Sequence, residues 1–320
     1  MSSSSSILGH RLELAALQED IRTGNVSHAY LFTGPRHVGK FTVAKWFATE
    51  LLTAGVEEAN KERARVQAEK LLHPDLFALD QLWIEGVAED ADMIARSSNI
   101  PQQHRMKAKA KTDTISIEDI RMLQERLHEV GTGKYRCCLI RSVERMQDEA
   151  VNALLKILEE PPPGVVFLLT TQAMQSLLPT LVSRARVMRF SRVRDSDMEP
   201  LLQNASDADR RFVLQLAQGA PGIVRSLLAD PEVLRAEKTA FANALAFWRA
   251  SSLAQRLRLL TPIHERGEES DQFILHLAIA LREEQSIAAP RGAEFFHRLL
   301  RGLETNTSRQ MLSQQFALAL

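Results

Sequence analysis

Apolar positions along the first 190 residues switch between two periods, whereas the rest of the chain keeps only one. Leu14, Leu17 and Ile21 recur at helical spacing and stop at the turn Gly24-Asn25. Ala29-Tyr30-Leu31-Phe32-Thr33 is a continuous run closed by Gly34, the pattern of a buried strand. A helix is predicted from about Lys40 through Leu52, and the highly charged stretch from Val56 to Lys70 predicts an exposed one. Ile120, Leu123, Leu127 and Val130 mark the apolar face of a further helix, which starts at Ser116-Ile117-Glu118-Asp119 with an acidic first turn. Cys137 to Val143 predicts a second strand. Val151, Leu154, Leu155 and Leu158 then share one helix face, and Pro161-Pro162-Pro163-Gly164 stops that helix. Val165 to Thr170 shows no polar alternation, as expected where both faces of a strand are covered. Val187 to Phe190 is a last short strand. Strands separated by helices predict a parallel sheet in a three-layered α/β domain over 1–190. No strand pattern follows. Residues 191–230 suit a small helical lid, and 231–320, heavy in Leu, Ala and Phe, a separate helical bundle.

Residues 83–113 interrupt this order. They hold Glu89-Asp90-Ala91-Asp92 and the basic alternation Arg105-Met106-Lys107-Ala108-Lys109-Ala110-Lys111 without a sustained period, so a surface insertion is expected. Composition narrows the picture further. The 40 Lys+Arg balance 40 Asp+Glu, which excludes nucleic-acid binding by bulk charge alone and leaves only a local patch. The two cysteines, Cys137 and Cys138, are adjacent on a predicted strand and point to opposite faces, so they are poorly placed to pair. A four-cysteine metal site is excluded by their number. The first residues, Met1 to Ser6, carry neither a basic nor an apolar targeting region, and no later run reaches 18 apolar residues, so a cytoplasmic location is expected.

The candidate chemistry lies at strand ends. Gly34-Pro35-Arg36-His37-Val38-Gly39-Lys40 follows a predicted strand and opens a predicted helix, the context of a phosphate-cradling loop. Such a loop next needs Ser or Thr to hold Mg²⁺, and this chain has Phe41; Thr42 comes one residue later, about 100° further round the helix. The bland alternative is a tight turn with no ligand. The second strand would carry acidic metal ligands at its end but is followed by Arg141, a cation where a cation would have to bind. Glu144 reads as a surface or interface carboxylate. Ser183-Arg184 sits at the end of a short helix, where an Arg can reach into a neighbour's site; alternatively Arg184, Arg186, Arg189, Arg192 and Arg194 form a solvated basic stripe. His73-Pro74-Asp75 reads as a loop-stabilising element rather than a metal or acid–base pair.

Taken in order, these segments resemble the AAA+ clamp-loader family of bacterial DNA polymerase III, and within it the delta-prime branch. The matching text is Ile7-Leu8-Gly9, then Ser27 through Pro35, His73-Pro74-Asp75 and Ile117 through Arg121. Glu144 through Pro162, Leu178-Pro179-Thr180 and Ser183-Arg184 complete it. The resemblance covers residues 7–190 and implies an AAA+ P-loop domain with a helical lid, followed by an all-α collar that joins subunits. It implies a stator-like subunit of a loader that places the sliding clamp on primed DNA. Arg184 would be an arginine finger given in trans to a neighbouring ATPase subunit. Gly34, Gly39, Lys40 and Thr42 would be the remains of a phosphate loop, with no cofactor required and residual ATP or ADP binding open. Expected partners are the ATPase and delta-type subunits, the clamp, and DNA through the complex. Family members commonly carry a zinc module before the His-Pro-Asp stretch; residues 53–72 contain no Cys, so no zinc is expected. Gly219-Ala220-Pro221-Gly222-Ile223-Val224-Arg225 resembles a second sensor region, with Arg225 as its candidate. Two rivals stay open: an ATP-hydrolysing motor subunit of the same loader, and a DNA-binding adaptor using residues 105–111.

Overall fold

The computed structural model describes residues 7–79, 114–129, 131–283, 289–305 and 307–320. Its contacts divide the chain into two units: residues 1–200 with 219–222, and residues 201–218 with 223–320.

In the first unit, helix α1 (Arg11–Thr23) leads to strand β1 (Ala29–Thr33), and the loop after it runs into α2 (Lys40–Thr53) and α3 (Glu58–Glu69). Strand β2 (Leu76–Leu79) follows, then α4 (Ile117–His128), β3 (Arg136–Ile140), α5 (Asp148–Glu159) and β4 (Val165–Thr171). The short helix α6 (Pro179–Ser183), edge strand β5 (Arg186–Arg189) and α7 (Asp195–Met198) complete it. The sheet order is β2-β3-β4-β1-β5 and every pairing is parallel. Alternation along each strand sorts side chains between two layers. Tyr30, Phe32, Cys137, Leu139 and Leu168 pack with Leu17, Val43, Phe47 and Leu51 of α1 and α2. Ala29, Leu31, Cys138, Ile140 and Phe167 pack with Ile120, Leu123 and Leu127 of α4 and Ala150, Leu154 and Leu158 of α5. The adjacent cysteines thus lie in opposite layers, both free and fully buried, with both thiols pushed well above the ordinary range by burial.

Three details differ from the sequence expectations. Leu76–Leu79 is a strand, although four apolar residues give no period to read. The strand expected over 137–143 ends at Ile140, because Ser142 takes a positive φ of 53° and starts a 3-10 turn, Val143–Arg145. The first unit extends to 200, and the expected lid is split: Gly219–Gly222 belongs with the first unit while the flanking helices belong with the second. Two backbone bonds explain the split, Val193 N–H to Gly219 O (2.8 Å) and Gly222 N–H to His37 O (2.9 Å). Residues 80–113, which include the expected insertion and its basic alternation, lie outside the described residues, as does Val130.

The His-Pro-Asp segment is structural. Asp75, 2% exposed, accepts from the backbone N–H groups of Thr132 (3.0 Å) and Gly133 (3.0 Å) and from the Thr132 hydroxyl. Arg136 stands 3.8 Å away and donates to the carbonyls of Leu127 (2.7 Å) and Arg126 (2.6 Å). His73 Nδ1 accepts from the Asp75 N–H at 3.1 Å, and burial lowers the pKa of its ring. These bonds fix the turn between α4 and β3 to the start of β2.

The second unit is all helix among its described residues: α8 (Asp207–Ala217), most of α9 (Pro221–Ala229), α10 (Pro231–Arg249), α11 (Leu253–Leu259), α12 (Glu268–Glu283), α13 (Ala289–Leu303) and α14 (Arg309–Ala319). Ser206, Asp230, Ser252 and Ser308 cap four of these helices with side-chain acceptors. Phe247, Trp248, Phe296 and Phe316 form the aromatic centre of its core, with the indole N–H donated to Leu277 O at 2.9 Å. Among the described residues, no helix is long and apolar enough to cross a membrane.

Candidate phosphate loop and arginine edge

Parallel strands put their C-terminal ends on one side of the sheet, and the loop after β1 emerges there. Gly34 has φ 149°, and a Cβ on it would meet Phe190 O at 2.2 Å, so only glycine lets the chain pass Phe190. His37 (φ 58°) and Gly39 (φ 106°) turn the loop back, and Gly39 caps α2. The shape is that of a phosphate loop. Its lysine, however, is turned onto the loop itself: Lys40 Nζ donates to Gly34 O at 2.6 Å and to Pro35 O.

The two positions that would hold a metal hold each other. The Arg141 guanidinium lies over the Phe41 ring, 4.3 Å from its centroid, a cation–π contact. Neither residue offers an oxygen, and Mg²⁺ demands a near-octahedral oxygen shell, so this donor set does not fit the ion. Thr42 follows on α2, past the position of the metal hydroxyl. Arg36 Nε donates to Gln172 Oε1 at the end of β4, which brings a third cation to the loop. Glu144, expected as a surface or interface carboxylate, is half-buried. The 3-10 turn carries it inward, where Oε1 accepts from Gln172 N–H at 3.4 Å and Oε2 is enclosed with no hydrogen-bond partner among the described residues.

Burial pushes the Lys40 pKa down to about 8, Arg141 and Arg36 push the same way, and Glu144 opposes them. The ammonium is therefore complete below that pH and lost above it, and affinity for a phosphate that relies on it falls as pH rises through about 8. NMR titration of the Lys40 side chain checks this, and Arg141→Ala is expected to raise the midpoint by removing one repelling charge. A midpoint at the ordinary lysine value would contradict the burial described here.

Arg184 lies at the other end of the sheet. It follows α6 and precedes β5, whose Arg186 is in register with Tyr30 of β1. Arg184 is thus level with the start of β1, and the phosphate loop begins after the end of that strand. About 20 Å of sheet separates the two at roughly 3.3 Å per residue, beyond the reach of an Arg side chain. Its guanidinium donates from Nη2 to Glu159 Oε1 (2.7 Å) and from Nη1 to Thr180 O (3.0 Å). The basic stripe is only partly solvated, since Arg186 donates to both oxygens of the buried Asp20 at 2.6 Å. Arg225, the candidate of the second sensor region, is on α9 in the second unit. The stack between Phe41 and Arg141 and the pair Glu159–Arg184 were not legible in the sequence, since neither spacing is local.

A strand order with β1 between β4 and β5 and a glycine loop after β1, with a helical second unit, define an AAA+-type fold. A family model described as DNA polymerase III, delta subunit, matches residues 9–194, more than half of the chain, and the chain belongs to that family. Subunit tau of DNA polymerase III from Bacillus subtilis is 26% identical over 223 residues, covering 69% of this chain and 34% of that protein. The Escherichia coli subunit tau is 28% identical over 233 residues, covering 70% of this chain and 31% of that protein. The chain thus spans about a third of the length of these relatives. The crystal structure of a DNA polymerase III gamma subunit-related protein from Thermotoga maritima shares the fold. It has a TM-score of 0.52 and 18% identity, over 95% of this chain and 98% of that one.

Proposed function

We propose that the chain is a non-hydrolysing, delta-prime-type subunit of a DNA polymerase III clamp loader, and that it gives Arg184 in trans to a neighbouring ATPase subunit. The observation that carries this reading is the Arg141 guanidinium stacked on Phe41. A cation occupying the metal position by electrostatics and shape leaves no route to a metal-activated phosphate. Lys40, folded onto Gly34 O and Pro35 O, agrees with that. Because about 20 Å of sheet separates Arg184 from its own loop, a nucleotide held there is out of its reach, which favours action on another chain. There the guanidinium would stabilise charge developing on a transferring γ-phosphoryl group. The helical second unit would serve as the collar that binds the other subunits, and contact with clamp and primed DNA would come through the assembled loader. No cofactor is required of this chain, and ATP or ADP bound at the loop would be structural.

ATP turnover by the isolated chain, measured with Mg²⁺ and primed DNA, tests the first half of the reading. The expected rate is that of the buffer alone. Turnover abolished by Lys40→Ala would replace the stator with a motor subunit, in keeping with the likeness to tau subunits.

A further inference from the structure

Glu159 is the last residue of α5, and Glu160 and Pro161 follow it. A carboxylate there faces the negative end of the helix dipole, an unfavourable placement. Helix stability therefore does not explain it. The backbone beneath it is held firmly, because Ile157 and Leu158 are 6% and 2% exposed in the core. From this anchored end Glu159 reaches Arg184, 25 residues later, with one oxygen. On the other side, Thr180 O accepts both from Arg184 Nη1 and from the Ser183 hydroxyl, each at 3.0 Å. The guanidinium is thus clamped at both of its terminal nitrogens, by an acceptor from α5 and one from α6.

Two of its five N–H donors are used in this way, so three stay available among the described residues. The pair is too exposed to matter for stability, with 32% of the Arg184 side chain and 52% of that of Glu159 accessible. An exposed ion pair of this kind contributes little to folding. Its effect is on conformation: part of the rotamer freedom of the Arg side chain is already lost before any phosphate arrives.

We propose that Glu159 is a positioning residue for Arg184, aiming its free N–H donors at the terminal phosphate of a nucleoside triphosphate held by an adjacent chain. This rests on the reading that Arg184 acts in trans. Reach matters in this arrangement more than charge, since the task is to hold one nitrogen.

The test is steady-state ATP turnover by the reconstituted loader with clamp and primed DNA, carrying Glu159→Ala, Glu159→Asp, Glu159→Gln or Arg184→Ala in this chain. Glu159→Ala is expected to lower kcat by up to about 10²-fold, the effect of a misplaced group, with KM for ATP unchanged. Glu159→Gln keeps the reach and an acceptor oxygen, so it retains most of kcat; Glu159→Asp keeps the charge but retracts it, so it loses several-fold. The double variant Glu159→Ala/Arg184→Ala should match Arg184→Ala alone. If Asp is tolerated better than Gln, or Glu159→Ala keeps full kcat while Arg184→Ala loses it, the positioning inference is overturned and the trans reading stands. Full kcat in Arg184→Ala would overturn the trans reading itself.

Discussion

Arg184→Ala in the assembled loader is expected to remove about 10³-fold of the rate at the ATP site it serves, as losses of such a residue do. A single-turnover measurement should show one site's burst of phosphate missing while ATP still binds. Assembly and thermal stability should be almost unchanged. The side chain makes one half-exposed ion pair and one bond to Thr180 O, and Glu159 rehydrates freely once its partner is gone. The separation of effects is what gives the experiment its force: a structural arginine would lose stability first and rate second. A burst of full size in a correctly assembled loader would show that Arg184 is an ordinary surface cation.

The largest effect on stability is expected at Asp75. Asp75→Ala strands the Thr132 and Gly133 N–H groups and leaves Arg136 without its carboxylate. Removing one partner from a buried charged network costs about 3–5 kcal/mol. At roughly 2–4 °C per kcal/mol for a unit of this size, the melting temperature should fall by about 6–20 °C. Urea unfolding would show the same loss in midpoint, with the slope unchanged. Asp75→Asn keeps the shape but replaces one acceptor by a donor that faces other donors, so it should fall between the two. A variant within about 1 kcal/mol of the parent would mean that the α4–β3 turn is held by other contacts.

Strands β1, β3 and β4 were legible because they are buried on both faces and read as continuous apolar runs, and the glycine loop because it sits between a strand and a helix. Cys137 and Cys138 could be assigned to opposite layers from period alone, and both layers received them. Leu76–Leu79 escaped notice because four residues carry no measurable period and their strand character comes from pairing with β3. The inward turn of Glu144 depends on the positive φ of Ser142, a conformation for which serine gives little signal. At the site, Phe41 and Arg141 each stood out as the wrong residue for a metal. That they touch needed the fold, because β1 and β3 are not neighbours in the sheet and α2 lies across them. The same holds for Glu159 and Arg184, which come together only when α5 and α6 are placed.

The stacked pair at the loop also constrains how this sequence can change. Ser at position 41 alone would take the aromatic support from Arg141 and leave its charge to repel an incoming divalent ion. Asp at position 141 alone would put a carboxylate against Phe41, with no hydroxyl to complete a shell. Either single step loses a contact and gains no ligand set, so a route to metal binding needs both changes at once. The pair works as a ratchet: drift is free to elaborate the loop around it, and selection acting one substitution at a time has no downhill path back to a metal site.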